Sequence, residues 1–238
     1  MSYSVQQKDC LELLAGLDDN SVTMTLTDIP YGVVNRGLGN IDCIRSLDKG
    51  DADVMTFDLQ KFVQEIARVT SGSIYIFCSS EQVSQIRSEL VNAKLTTRHC
   101  IWEKSDPSPF NGQHFWLSSI ENCIFARKSK ATFNEFCKTA VWRENIERFI
   151  KDHTTPKSVL LLKRLIEAST NEGDTVLDPC MGSGSTGIAC KMTGRIFIGC
   201  DINPDYVDAA AKRIEELDLT DNPWLRKLQK REKVLTKS

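Results

Sequence analysis

Val176-Leu177-Asp178-Pro179-Cys180-Met181-Gly182-Ser183-Gly184-Ser185-Thr186-Gly187 reads as a strand, a glycine turn and the start of a helix. The glycine spacing Gly182-x-Gly184-x-x-Gly187 lets a ligand approach the backbone, and a helix that opens there offers free N–H groups. The strand before it and the helix after it, over about Ser185–Met192, give this short motif its structural context. Arg195 to Cys200 reads as the next strand and ends at Asp201, 19 residues after Gly182. A carboxylate at that point can accept hydrogen bonds from both hydroxyls of a ribose. Gly-Lys-Ser/Thr is absent, so the turn is not a P-loop. Asp178 sits where a dinucleotide's pyrophosphate would lie, and its charge repels phosphate while suiting a cationic group.

A second stretch, Asp28-Ile29-Pro30-Tyr31, closes the β-branched run Ser21 to Thr27, which reads as a strand. It is suited to holding a planar amino group. The exocyclic amine of a nucleobase is a poor nucleophile because its lone pair is delocalised into the ring. Two acceptors aimed at its N–H bonds favour a tetrahedral nitrogen and stabilise developing positive charge. Asp28 supplies one acceptor and the Ile29 carbonyl the other. Pro30 restricts Ile29 to extended backbone and so fixes where that carbonyl points. Tyr31 offers a ring on which a flipped base can stack.

The rest of the chain alternates. Strands are predicted at Val5–Gln7, Ser73–Cys78, Arg98–Glu103, Asn122–Arg127 and Thr175–Leu177. Helices are predicted at Asp9–Leu17, Thr56–Val69, Ser80–Ala93 (capped by Ser79 or Ser80), Lys157–Ala168 and Pro204–Leu217, and Thr132–Asp152 reads as irregular or partly helical. This alternation implies an α/β fold, with a mainly parallel twisted sheet covered by helices on both faces. The 238 residues fit one domain, 1–238. The glycine- and charge-rich stretch Val33–Asp53 reads as a mobile loop over an active-site mouth.

Composition excludes several classes. No apolar run is long enough to span a membrane, and Met1 to Lys8 lacks a signal peptide's apolar centre, which points to the cytoplasm. Most of the nine cysteines lie in apolar runs and none forms a CxxC pair, which argues for reduced thiols and against a zinc ribbon or any other metal site. The net charge of −2 argues against a tight, non-specific nucleic-acid binder. Local basic stretches remain: Arg127–Lys151 has seven basic and three acidic residues, and Asp221–Ser238 has six and two. Either could be a solvated face or a nucleic-acid contact.

Together the two motifs resemble those of the N4/N6 amino-methylating DNA methyltransferases. Asp178 to Thr186 is similar to that family's Asp-Pro-Phe-x-Gly-Ser-Gly-Thr cofactor motif, with Cys180 in place of the aromatic and Ser185 in place of a Thr. Asp28 to Tyr31 resembles its Asp-Pro-Pro-Tyr motif, with Ile29 in place of the first Pro. The catalytic motif precedes the cofactor motif, which is the circularly permuted order of the family's beta group. The resemblance implies a Rossmann-like fold that binds S-adenosyl-L-methionine. It also implies site-specific transfer of a methyl group to the N6 amine of adenine in DNA, by base flipping and direct transfer. Asp at the first catalytic position resembles adenine enzymes more than cytosine-N4 enzymes, which usually carry Ser there.

The resemblance also assigns cofactor residues. They are Asp178, Pro179, Cys180, Gly182, Ser183, Gly184, Ser185 and Thr186 in the turn, and Asp201 and Ile202 at the acidic ribose motif. His153-Thr154-Thr155-Pro156-Lys157-Ser158 is similar to the family's His-Pro-Thr-Gln-Lys-Pro motif, which would bring Thr155 and Lys157 to the methionine part, Lys157 against its carboxylate. Asp9 has two readings, a loop residue near the adenine or a plain helix N-cap. Phe110, His114, Phe115 and Trp116 read either as a packed loop or as DNA contacts.

A recognition insert, where the family often carries one, is limited here to 128–152. Expected partners are DNA, a second copy in a homodimer, and a cognate restriction endonuclease in a bacterial or phage-infected cell. The rival readings are cytosine-N4 methylation, an RNA or protein-amide substrate, and a cofactor-binding subunit without independent catalysis. An NAD-dependent oxidoreductase would leave Asp28 to Tyr31 unexplained.

Overall fold

Strand β3 (Thr70–Cys78) shows how the molecule is layered. Its side chains alternate between two cores: Tyr75 and Phe77 enter one, Ile74, Ile76 and Cys78 the other. A strand buried on both faces must be apolar throughout, and residues 74–78 are. The computed structural model describes residues 2–31, 55–109, 112–114, 116–146 and 157–220, together with 225, 226, 228 and 230. The loop read at Val33–Asp53, residues 147–152 of the basic segment, and Thr155, Phe110 and Phe115 lie outside the described residues.

The other elements, in chain order, are β1 (Tyr3–Gln7), α1 (Cys10–Ala15), β2 (Val22–Asp28), α2 (Leu59–Val69) and, after β3, α3 (Val83–Asn92). Then follow β4 (Thr96–Lys104), β5 (Ile120–Arg127), β6 (Val141–Glu144), α4 (Val159–Ser169), β7 (Thr175–Asp178), α5 (Ser185–Thr193), β8 (Ile196–Asp201) and α6 (Pro204–Glu216). The eight strands form one sheet in the order β1-β8-β7-β2-β3-β5-β4-β6. Only β5 runs against the rest, pairing antiparallel with β3 and β4. All other pairings are parallel. Among the described residues no helix is long and apolar enough to cross a membrane.

Helices α1–α3 cover one face and α4–α6 the other. In α2, Leu59, Phe62, Val63, Ile66 and Ala67 recur at helical spacing and are buried as one stripe. Arg68 on its polar side donates to the carbonyls of Leu14 and Leu17 at 2.9 Å each and pairs with Asp19 and Glu65, which ties α1 to α2. Asp58, Ser158 and Asn203 cap α2, α4 and α6 through their side chains.

The structure departs from the sequence reading in two places. Val141–Glu144, expected to be irregular or helical, forms β6 and extends the sheet beside β4. Helix α3 begins at Val83 after Gln82, not at a serine cap: Gln82 instead turns its side chain back to accept from the Ser79 amide at 2.9 Å.

Gly187, in the first turn of α5, is where the helix meets the sheet. A Cβ there would press on Ile214 of α6 and come within 2.9 Å of the Phe197 ring on β8. Gly187→Ala is expected to destabilise the fold by about 1–3 kcal/mol through overpacking. Urea unfolding checks this, and an unchanged midpoint would contradict the packing account.

Candidate active site

The sheet order reverses between β2 and β7. From β2 the chain moves outward to β3, and from β7 outward to β8 on the other side. A crevice opens at the carboxyl ends of strands at such a switch point. Asp28 ends β2, Asp178 ends β7 and Asp201 ends β8, so three carboxylates line one edge of the sheet. Thr25 lies opposite Leu177, and Asp178 opposite Gly199, which sets their heights along that edge.

On the β7–β8 side, the turn after Asp178 uses two glycines in left-handed backbone, Gly182 at φ 47° and Gly184 at φ 78°. Gly184 also packs so tightly on α6 that a Cβ would lie 2.7 Å from the Ala210 Cβ. The buried Asp178 carboxylate organises the turn, accepting from Thr186 Oγ1 at 2.6 Å and from the Cys180 amide at 3.2 Å. Pro179 is buried, and its carbonyl accepts from Cys200 Sγ. Asp201 accepts from the amides of Gly182 (3.1 Å) and Asn203 (2.9 Å), which fixes its carboxylate beside the turn. Ile202 next to it is exposed. Ser183 is buried, and its carbonyl accepts from Arg213. Ser185 Oγ, at the start of α5, is buried without a hydrogen-bond partner among the described residues.

These residues suit an adenosine-type cofactor with a cationic amino-acid end. Asp201 is the acceptor that the resemblance assigns to a ribose, exposed Ile202 stands next to it, and the α5 start adds the orphaned Ser185 hydroxyl. Asp9 is the N-cap of α1, accepting from Leu11 N at 2.8 Å, and follows Lys8, whose amide donates to the Asp201 carbonyl. The structure thus shows the N-cap, next to the strand end that carries Asp201.

On the β2 side, Asp28 Oδ2 lies 2.7 Å from Lys157 Nζ, while Asp28 Oδ1 is buried with no hydrogen-bond partner among the described residues. The Ile29 amide donates to the Phe77 carbonyl, and the Pro30 carbonyl accepts from Gln82 Nε2 at 2.9 Å. Both bonds brace the turn, and neither uses the Ile29 carbonyl. Tyr31 donates to Glu121 Oε2 at 3.3 Å. Glu121, at the start of β5, also meets Lys157 Nζ at 2.5 Å and Lys104 Nζ at 2.7 Å.

Sequence reasoning missed this cluster. It gave Glu121 and Lys104 no site role and read Lys157 as a partner for a cofactor carboxylate. The structure places Lys157 on Asp28, Glu121 and Tyr31, its ammonium 5.3–6.0 Å from the ring centres of Phe77, Tyr31 and Trp102. The signal available in sequence was positional. Lys104 closes a strand and Glu121 opens the next, so an antiparallel pairing brings both to the same edge as Asp28.

The charges respond to burial. Burial raises the Asp28 carboxyl, with Lys157 opposing it. Burial would raise Glu121 as well, but Lys157 and Lys104 hold it down at about 2. Burial would lower Lys157, yet Asp28 and Glu121 drive it well above the usual lysine range. Tyr31 is raised by burial and by Asp28. Asp178, with no cation of its own, is pushed by burial up to about 7.

Asp178 therefore makes stability depend on pH. Between about 4 and 7 the folded chain holds a proton that the unfolded chain has released, so this contribution is complete below pH 4 and is lost as pH rises through 7. Going from pH 5 to 7.5 should cost about 2 kcal/mol through this group. Urea unfolding of the ligand-free protein and of Asp178→Asn at both pH values measures it. The difference between the two proteins should shift by about that much in favour of the variant, and an equal response would remove Asp178 as the source.

The chain is similar to known DNA methylases over most of its length. The DNA methylase family matches residues 22–212. The Type II methyltransferase M2.LlaDCHI of Lactococcus lactis subsp. cremoris is 31% identical, and M2.DpnII of Streptococcus pneumoniae 28%, each alignment covering 87% of both chains. The crystal structure of M1.HpyAVI with SAM is 28% identical, with a TM-score of 0.68 over 89% of this chain and 99% of that one. The cytosine-N4-specific PvuII methyltransferase shares the fold, at 15% identity and a TM-score of 0.69 over 93% of this chain and 89% of that one. With the carboxylates, the glycine turn and the Asp-Ile-Pro-Tyr segment on one sheet edge, this chain belongs to the DNA methylase family of N6/N4 amino-methyltransferases.

Proposed function

We propose that the protein methylates the N6 amine of adenine in DNA with S-adenosyl-L-methionine as cofactor. The observation that carries this reading is Asp28 Oδ1, a buried acceptor left open beside Tyr31 and across the switch point from the glycine turn. Aspartate at that position supports adenine over cytosine.

Asp178, Pro179, Cys180, Gly182, Ser183, Gly184, Ser185, Thr186, Asp201, Ile202 and Asp9 would hold the cofactor, and the resemblance adds Thr155 to this set. S-adenosylmethionine supplies an electrophilic methyl group on a sulfonium sulfur, which leaves as a neutral sulfide keeping the electron pair of the broken bond. Asp28 Oδ1 and the Ile29 carbonyl accept from the two N–H bonds of the amine, so its lone pair is released toward the methyl group. Tyr31 stacks on the flipped base and keeps water away. The surplus proton on nitrogen passes to the Asp28 carboxylate that already accepts from it, and then to solvent.

The DNA would lie along the carboxyl edge of the sheet. Trp116 stands fully exposed on the loop between β4 and β5, four residues before the start of β5. It would stack on a base beside the flipped one. The basic residues of 128–152 and the 33–53 stretch would supply recognition around the single catalytic domain. A homodimer and a matching restriction endonuclease belong to this proposal, and light scattering and cleavage protection of methylated DNA test them.

The first experiment incubates the protein with labelled S-adenosylmethionine and unmethylated DNA and digests the product to nucleosides. N6-methyladenine is expected, and Asp28→Ala should reduce it at least 10²-fold, in line with loss of a transition-state acceptor. N4-methylcytosine would keep the chemistry and change the base; label on neither base would refute the assignment. Trp116→Ala should weaken DNA binding by about 1–3 kcal/mol in a titration while leaving cofactor affinity unchanged. Unaltered DNA binding would remove Trp116 from the interface.

A further inference from the structure

We propose that Lys157 is a positioning residue for the transfer: held by Glu121, it occupies one oxygen of Asp28 and leaves the other as an ionised acceptor for the amine. The inference rests on the assignment of Asp28 as the group that receives the amine. It departs from the role the resemblance gives Lys157, a partner for the cofactor's carboxylate.

The geometry carries it. An ammonium has three N–H donors, and Lys157 directs them at three acceptors: Asp28 Oδ2 at 2.7 Å, Glu121 Oε2 at 2.5 Å and Tyr31 Oη at 3.1 Å. None is left for an incoming carboxylate. The Lys157 side chain is only 10% exposed and is boxed by aromatic rings, so it has little freedom to turn elsewhere. The pairing also uses Asp28 unevenly: Oδ2 is taken, and Oδ1 is buried without a hydrogen-bond partner among the described residues. A carboxylate clamped through one oxygen points the other in a fixed direction, as a transition-state acceptor must.

Charge balance gives the clamp its second role. Asp28 and Glu121 are matched by Lys157 and Lys104, so the cluster is neutral overall. Among the described residues, the groups facing Asp28 are Lys157 before α4, Glu121 and Cys123 on β5, Tyr31 after β2, Cys78 on β3 and Asp178 on β7. Among the described residues Lys157 is the cation in contact with Asp28. Without it, burial and the two neighbouring carboxylates would all favour a protonated Asp28. A protonated Asp28 no longer presents two carboxylate acceptors, and the nucleophile loses its activation.

Glu121 acts one step further out. It holds Lys157 and the Tyr31 hydroxyl together, while Lys104 neutralises its other oxygen. Removing its charge leaves Lys157 to Asp28 alone, which should make Asp28 easier to ionise while loosening Tyr31. The two substitutions thus push the ionisation of Asp28 in opposite directions, which a merely structural cluster would not do.

The test compares wild type, Lys157→Met, Lys157→Arg and Glu121→Gln by three measurements. The first is S-adenosylmethionine affinity by calorimetry. The second is the pH dependence of single-turnover methyl transfer. The third is the Asp28 carboxyl titration by carbon NMR, assigned with Asp28→Asn. Lys157→Met is expected to bind S-adenosylmethionine within about threefold of wild type, lose on the order of 10²-fold in rate at neutral pH, and titrate Asp28 at least one unit higher. Lys157→Arg, which keeps the charge, should recover part of the rate. Glu121→Gln should move the Asp28 titration downward.

A large loss of S-adenosylmethionine affinity in Lys157→Met with an unmoved Asp28 titration would overturn the proposal and return Lys157 to the cofactor's carboxylate. Unchanged rates would overturn it too. The NMR titration needs no substrate, so it decides the pairing even if the nucleoside analysis rejects adenine in DNA. If Lys157→Met fails to fold, Lys157→Arg and Glu121→Gln still test the direction of the Asp28 shift.

Discussion

A half-buried carboxylate at the end of a parallel strand sets the terms for this structure. In the proposed reaction Asp28 must be ionised to accept from an amine, yet its surroundings disfavour the charge. Half-shielded from solvent, it cannot rely on water alone to hold its charge. The remaining solution is a counter-ion brought in by other elements, and three supply the parts. The residue before the α4 cap delivers Lys157, β5 delivers Glu121, and β4 delivers Lys104. Buried ion pairs add little net stability once desolvation is counted. The cluster is therefore better understood as a device for holding charge in place.

Sheet order explains how motifs distant in the chain come to share one site. What matters for the reaction is that β2 and β7 are neighbours and that both end at the same edge. Whether the strand with the glycine turn comes first or last in the chain is irrelevant to that adjacency. The permuted motif order therefore leaves the catalytic geometry unaltered. The two halves differ in how they bind. Around β7 and β8, contacts are made by backbone amides, small hydroxyls and glycines in left-handed backbone. Around β2, they are made by full charges in balance.

That contrast also decides what the sequence made legible. Strand ends carrying Asp28, Asp178 and Asp201 stand out because periodicity stops at an acid followed by turn residues. The glycine turn is equally local. Glu121 and Lys104 matter only through the antiparallel register of β4 and β5, which juxtaposes the end of one strand and the start of the next. No window of sequence contains that information. Strand β6 escaped notice for a related reason: Val141–Glu144 is four residues long, half of them charged, and gains its strand character from pairing with β4. Lys157 was visible as a residue of interest, but its partner depends on where the start of α4 falls relative to β2.

The two halves are also coupled through charge. Asp178 and Asp28 terminate adjacent strands, and each carboxylate makes the other harder to ionise. Lys157 opposes the effect of burial on Asp28 and does nothing comparable for Asp178, whose carboxyl burial pushes up to about 7. A cationic ligand entering beside the glycine turn would favour the ionised form of Asp178 and complete the balance that Lys157 begins. On this view the catalytic side carries its counter-ion permanently, whereas the binding side receives its positive charge with the cofactor. The lysine of the motif preceding α4 then serves the reacting amine, and the ligand's own positive charge serves Asp178.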